Sequence, residues 1–195
     1  MTKTVSALFD NVSDAQYAVQ DLIDNGFLQR DISLIASDAA GEFVAYHGKD
    51  LPADDTLAGM GTGAVLGGLT GLLVGLAALA IPGVGPVIAA GPIAAAITGA
   101  GVGAVTGGIV GALVDLGIDE DEAGYYAEGV RRGGTLLTVQ TTDAMAHRAA
   151  DILERHDPVN VEERVTYWRE RGWTGYEPTA EPYTVDQIER ERDMY

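Results

Sequence analysis

Residues 56–114 read TLAGMGTGAVLGGLTGLLVGLAALAIPGVGPVIAAGPIAAAITGAGVGAVTGGIVGALV, 59 residues without a charged side chain in a 195-residue chain of net charge −17. Within this block glycine recurs every fourth position. The first series is Gly59, Gly63, Gly67, Gly71 and Gly75; the second is Gly91, Gly99, Gly103, Gly107 and Gly111, with Ala95 keeping the interval. Between them Pro82, Gly83, Gly85 and Pro86 mark a turn. A spacing of four puts the small residues on one helix face, where two backbones can approach closely. The block is predicted to be an α-helical hairpin packed glycine to glycine.

Each arm is long enough to span a bilayer. Residues 57–80 and 92–114 number 24 and 23, roughly 35 Å of helix against a hydrocarbon core of ~30 Å. Pro92 suits a first helical turn. The arms are rich in Gly and Ala, each interior Gly costs about 1 kcal/mol relative to Ala, and only close helix packing repays that cost. A membrane hairpin is the leading reading. The alternative is a soluble homo-oligomer whose hairpins form an apolar core able to hold lipid or another apolar molecule.

The other 136 residues carry all 41 charges, so an acidic folded portion surrounds a neutral insert. The pI near 4.3 disfavours nucleic acid, whose charge has the same sign. No cysteine is present, which removes disulfide and thiol chemistry, and the first residues lack the layout of a signal peptide.

Outside the block, strands and helices alternate. Residues 4–9 read as a strand. A helix over 14–25, capped by Ser13, carries Ala15, Ala18, Val19, Leu22 and Ile23 on one face and ends at Gly26. Residues 32–35 are the second strand. Asp119 and Glu122 open a helix over 120–132, residues 135–140 form a third strand, and a helix follows to Arg155. Val159, Val161, Val165 and Tyr167 fall at even spacing, predicting a fourth strand. This order is that of an α+β, ferredoxin-like fold, a split βαβ repeat with the glycine-zipper hairpin inserted. The expected divisions are 1–52 (first βαβ half), 53–116 (hairpin), 117–170 (connecting helix and second half) and 171–195. The last is an arm with Trp173, Tyr176 and Tyr183 set among Gly and Pro, expected to dock on a surface, and a short helix opened by Thr184.

Catalytic constellations are not evident. His47, His147 and His156 lack metal-ligand spacing. Asp115, Asp119, Glu120, Asp121 and Glu122 lack the ligand order of a calcium loop. Gly99, Gly101 and Gly103 follow no strand, as a dinucleotide loop would require. Neither a cofactor nor a small-molecule substrate is expected, and the chain reads as non-enzymatic.

The run from Ile81 to Pro92, the segment from Gly117 to Gly134 and the opening Phe9-Asp10 with its capped helix resemble the bacterial glycine-zipper stress proteins. These are the general stress protein 17M-like, heat-induced or low-temperature-induced proteins. That resemblance implies a stress-response role without an established reaction. Together with the hairpin it predicts a homo-oligomer with membrane lipid as a further partner, placed at the cell membrane with its acidic domain in the cytoplasm. A cytoplasmic location is the alternative.

Overall fold

The structure is a computed structural model and describes residues 2–39, 77–98 and 104–194. Five strands form one antiparallel sheet: β1 (Thr2–Phe9), β2 (Ile32–Ser37), β3 (Ala77–Ile81), β4 (Gly85–Ala90) and β5 (Thr135–Thr142), in the order β1-β5-β2-β4-β3. The helices are α1 (Val12–Asp24), α2 (Pro92–Thr98), α3 (Ala104–Asp115), α4 (Glu120–Arg131), α5 (Asp143–Glu154), α6 (Val161–Glu170) and α7 (Val185–Arg192).

Alternation along the strands builds two cores. Ala7, Phe9, Ile32, Leu34, Leu137 and Val139 face α1 and α5. Leu8, Ile35, Val87, Ala89 and Leu136 face the opposite way, towards α2, α3 and α4. With both faces covered, the central strands are buried on both sides, polar Ser33, Thr135 and Thr138 included, and do not show the alternation of a half-solvated strand. Local chemistry fixes the element ends. The Asn11 side chain caps α1 through the Asp14 N–H at 2.9 Å, in place of Ser13. The Asp119 carboxylate caps α4 through the Asp121 N–H at 3.0 Å.

The apolar block departs from the predicted helical hairpin. Its described central part, residues 77–90, is a β-hairpin. Ile81-Pro82-Gly83-Val84 is a tight turn closed by the Val84 N–H on the Ile81 carbonyl at 3.1 Å. Proline follows the first residue and Gly83, at φ +78°, comes next, the residue pattern of a type II turn. Such a turn brings the flanking chains into immediate antiparallel register, pairing Ile81 with Gly85 and Leu79 with Val87. Val87 and Ile88 are then buried on opposite faces, a use for β-branched side chains that helix packing would not favour.

The zipper positions scatter accordingly. Gly91 sits at the β4–α2 joint with φ +76°. Gly107 and Gly111 lie in α3, whose course is broken at Gly108 by non-helical angles (φ 51°, ψ −134°). Gly59, Gly63, Gly67, Gly71, Gly75, Gly99 and Gly103 lie outside the described residues. No described helix is long and apolar enough to cross a membrane. The membrane hairpin, its lipid partner and the membrane location are therefore corrected. The described part of the block does not build the continuous small-residue helix face that was to bind lipid or a second copy: residues 77–90 form strands and α3 is broken at Gly108. The ferredoxin-like assignment changes as well: the expected fourth strand is helix α6, and β4 and β3 extend the sheet on its other side.

Candidate functional site

With α6 in place of the expected fourth strand, β1 lies at the edge of the sheet formed by the described strands. Its inner side pairs with β5 along its whole length, from Thr2 opposite Thr142 to Phe9 opposite Thr135. On the outer side the Leu8 carbonyl accepts the Val159 N–H at 2.7 Å, a single strand-like bond from the segment that leads into α6. Backbone groups in an antiparallel strand point alternately to either neighbour. Ser6 and Thr4 therefore direct their N–H and C=O outward as Leu8 does, and among the described residues no strand pairs with them.

The Ser6 groups look into a groove of about 580 Å³; Thr4 does not line it, and its hydroxyl donates to the Leu116 carbonyl. One wall is the start of α4 (Asp119, Asp121, Glu122, Tyr125, Tyr126) with Glu162 of α6; the other is Ala150, Leu153 and Glu154 of α5; Pro158 and Val159 close the end. Five carboxylates line it, and among the described residues no Lys, Arg or His does. The floor is half-buried Val5 and Ser6 with buried Ala7 and Leu8. Tyr126 donates its hydroxyl to the Glu122 carboxylate at 3.0 Å. Burial first, and that carboxylate second, push its phenol well above the ordinary range, so it stays a neutral donor that fixes Glu122 in place. Close packing holds the α4 wall against the strand. A Cβ at Gly129 would lie 2.5 Å from a Leu8 methyl, so glycine there lets α4 approach β1. The arrangement offers a strand edge, an anionic wall and a smaller apolar wall; it brings no nucleophile beside a base. Among the described residues no three His, Asp or Glu converge to hold a metal ion.

The C-terminal arm lies elsewhere. Trp173 packs edge-on against Trp168 at 5.6 Å and Tyr125 at 6.0 Å. The Tyr183 ring lies under the Arg131 and Arg132 guanidinium groups at 5.0 and 5.2 Å. Tyr176 reaches the Pro82 carbonyl at 3.5 Å, and burial pushes its phenol up to about 12. The predicted turn residues meet the same arm. A Cβ at Gly83 would lie 2.5 Å from the Pro178 carbonyl, and one at Gly85 would lie 2.8 Å from the Pro182 ring; Pro82 and Pro86 flank them in the turn and in β4. Beneath the arm, fully buried Glu128 meets Arg132 at 2.6 Å and Arg131 at 3.0 Å, and Arg132 also meets Glu191 of α7. The Arg131 Nε–Glu128 Oε2 approach is an ion pair out of hydrogen-bond alignment. Burial works against the Arg132 charge, but the Glu128 and Glu191 carboxylates outweigh it and hold its pKa above the usual guanidinium value. This cluster pairs its charges internally and joins α4 to α7.

Sequence reasoning missed the groove because residues 159–167 were assigned to the strand that would have filled it. Asn160 held the signal: its side chain caps α6 through the Glu163 N–H at 3.2 Å, and Val161, Val165 and Trp168 follow at helical spacing.

No family model matches the chain, and no curated protein or solved structure is found to be similar to it. The resemblance to the glycine-zipper stress proteins is corrected on that finding, and the stress-response role drawn from it goes with it.

Proposed function

We propose that this chain is a non-enzymatic protein-interaction module that takes an extended peptide along the outer edge of β1. One observation carries the reading. The Leu8 carbonyl already accepts a strand-type bond from Val159, while the next outward groups, on Ser6, face an open groove, and among the described residues no strand pairs with those of Thr4 beyond it. Strand addition uses such an edge: main-chain bonds supply affinity and flanking walls choose the side chains. The walls here hold carboxylates, tyrosines and small apolar groups but no nucleophile–base pair, which favours binding over catalysis.

The test is amide exchange by NMR on the whole chain, with and without a panel of capped eight-residue peptides of alternating Val and Thr. Binding should slow exchange at Ser6 and Thr4 and leave the inward amides of Val5 and Ala7 as they were. Ser6→Pro removes an outward N–H that β5 does not use, which an edge strand tolerates, and should abolish the effect with the fold intact. A panel in which no peptide protects Ser6 or Thr4 would refute the reading.

A further inference from the structure

Resting on that reading, we infer that the segment β1 accepts is cationic, with Lys or Arg at alternate positions and small or apolar residues between them. The argument is one of register. Side chains of an added strand alternate between the two faces of the sheet. On one face, the side to which Leu8 points, they meet Asp119, Asp121 and Glu122 of α4 and Glu162 of α6, with Tyr125 beside them. A guanidinium there finds carboxylates and an aromatic ring together, the surroundings it favours. On the other face, the side of Ala7, they meet Ala150 and Leu153, with Glu154 at the rim. That surface suits a short apolar side chain.

Charge complementarity separates this occupant from a second copy of the chain. Joining two β1 edges would bring two grooves of five carboxylates together, in molecules of net charge −17, with Lys3 as the one cation on each strand. Like charges set opposite one another in this way oppose pairing.

Three peptides of one length test the inference on the full chain, with alternating Thr-Arg, Thr-Gln and Thr-Glu composition, measured by titration calorimetry and by the exchange of the Thr4 and Ser6 amides. The Arg peptide should bind at least about tenfold tighter than the Gln peptide and lose about tenfold on raising salt from 50 to 500 mM, because its contacts lie on a solvated wall. The Glu peptide should not bind. Asp121→Asn combined with Glu162→Gln, both exposed, should erase most of the Arg preference while the Gln peptide binds as before. Equal binding of all three peptides would keep strand addition and overturn the charge assignment. Failure of all three to protect Ser6 would overturn both. Protection that grows with protein concentration in the absence of peptide would make a second copy the occupant and overturn the inference.

Discussion

Replacing Glu128 by Gln changes one charge and almost no volume, so its effect measures the buried cluster that fastens the arm. The Glu128 side chain is 0% exposed, and those of Arg131 and Arg132 are 11% and 12% exposed. Two guanidinium groups are neutralised there by Glu128 and by Glu191, itself 10% exposed. Glu128→Gln leaves two nearly dehydrated cations facing one carboxylate. Removing one member of a buried pair costs about 3–5 kcal/mol, chiefly through the charge left uncompensated. That is a large part of the ~5–15 kcal/mol that holds a domain folded. With a urea slope of about 2 kcal/mol per molar, the unfolding midpoint should fall by roughly 1.5–2.5 M. Urea is the right denaturant because it is uncharged and leaves ion pairs unscreened. Glu191→Gln should cost less, and the double variant should be non-additive by at least about 1 kcal/mol, since both carboxylates act through Arg132. A Glu128→Gln midpoint within about 0.5 M of wild type would mean that water reaches the cluster and that the arm is not seated on it; the argument would then fail.

Two further perturbations use other parts of the fold. Gly91 and Gly26 both have positive φ, +76° and +90°, but a Cβ at Gly91 would lie 2.1 Å from the Ile32 carbonyl, whereas one at Gly26 has nothing within 4 Å. Gly26→Ala should therefore cost only the conformational term of about 1–2 kcal/mol, and Gly91→Ala at least twice its neighbour's loss in the same urea assay; equal losses would refute the steric reading. Asp21 accepts from His156 at 3.1 Å and from Arg155 at 2.9 Å, and these contacts hold its carboxyl below the ordinary 3.8. A depressed acid contributes stability above its unfolded pKa and loses it as the pH falls towards the folded one. The stability advantage of wild type over Asp21→Asn should thus be present at pH 6 and shrink as the pH falls below 4; an advantage independent of pH would exclude the ion cluster as its source.

The amphipathic outer parts of the chain were legible because each has one dominant face. Ala15, Ala18, Val19 and Leu22 recur at helical spacing and are all buried in α1. The strand runs beginning at Thr4 and Thr135 emerge as β1 and β5, paired with each other. The glycine-rich centre was not legible, for two physical reasons. Strand β4 is buried from Val87 to Ala90 and shows no polar alternation, and β3 sets exposed Ala78 and Ala80 against Leu79 and Ile81, an alternation without a polar residue; Ala77–Ile81 and Gly85–Ala90 therefore look like parts of an apolar helix when periodicity alone is consulted. Glycine at every fourth residue is also a statement about one face only if the backbone is helical. Where the backbone turns at Gly91, a glycine of that series supplies positive φ instead. Pro82-Gly83 was the discriminating signal, because a tight turn of that type delivers strands into register.

The edge of β1 and the acidity of the chain are connected by the same argument. An unpaired strand edge invites indiscriminate pairing, and folded proteins guard such edges with charge. Here the guard is asymmetric. It is built of carboxylates on the walls beside the edge, with Lys3 as the one cation on the strand itself. A wall of that sign repels the edge of another copy and every acidic segment, while leaving the main-chain donors and acceptors of Thr4 and Ser6 open to a cationic strand. Had residues 159–167 formed the fourth strand, they would have paired with the outer side of β1 and taken the place of the groove. The Asn160 cap, which turns the chain from the bond at Leu8 into α6, is thus the local event that leaves the outer side of β1 unpaired beyond Leu8. Replacing Asn160 by Ala removes the side-chain acceptor at the Glu163 N–H, at a cost to α6 of about 1 kcal/mol, and leaves every groove carboxylate in the sequence. If a seated α6 holds Glu162 in the wall, Asn160→Ala should weaken the Arg peptide more than the Gln peptide in the same calorimetric titration. An equal loss for both peptides would mean that the cap acts only on the fold and that the wall owes nothing to α6.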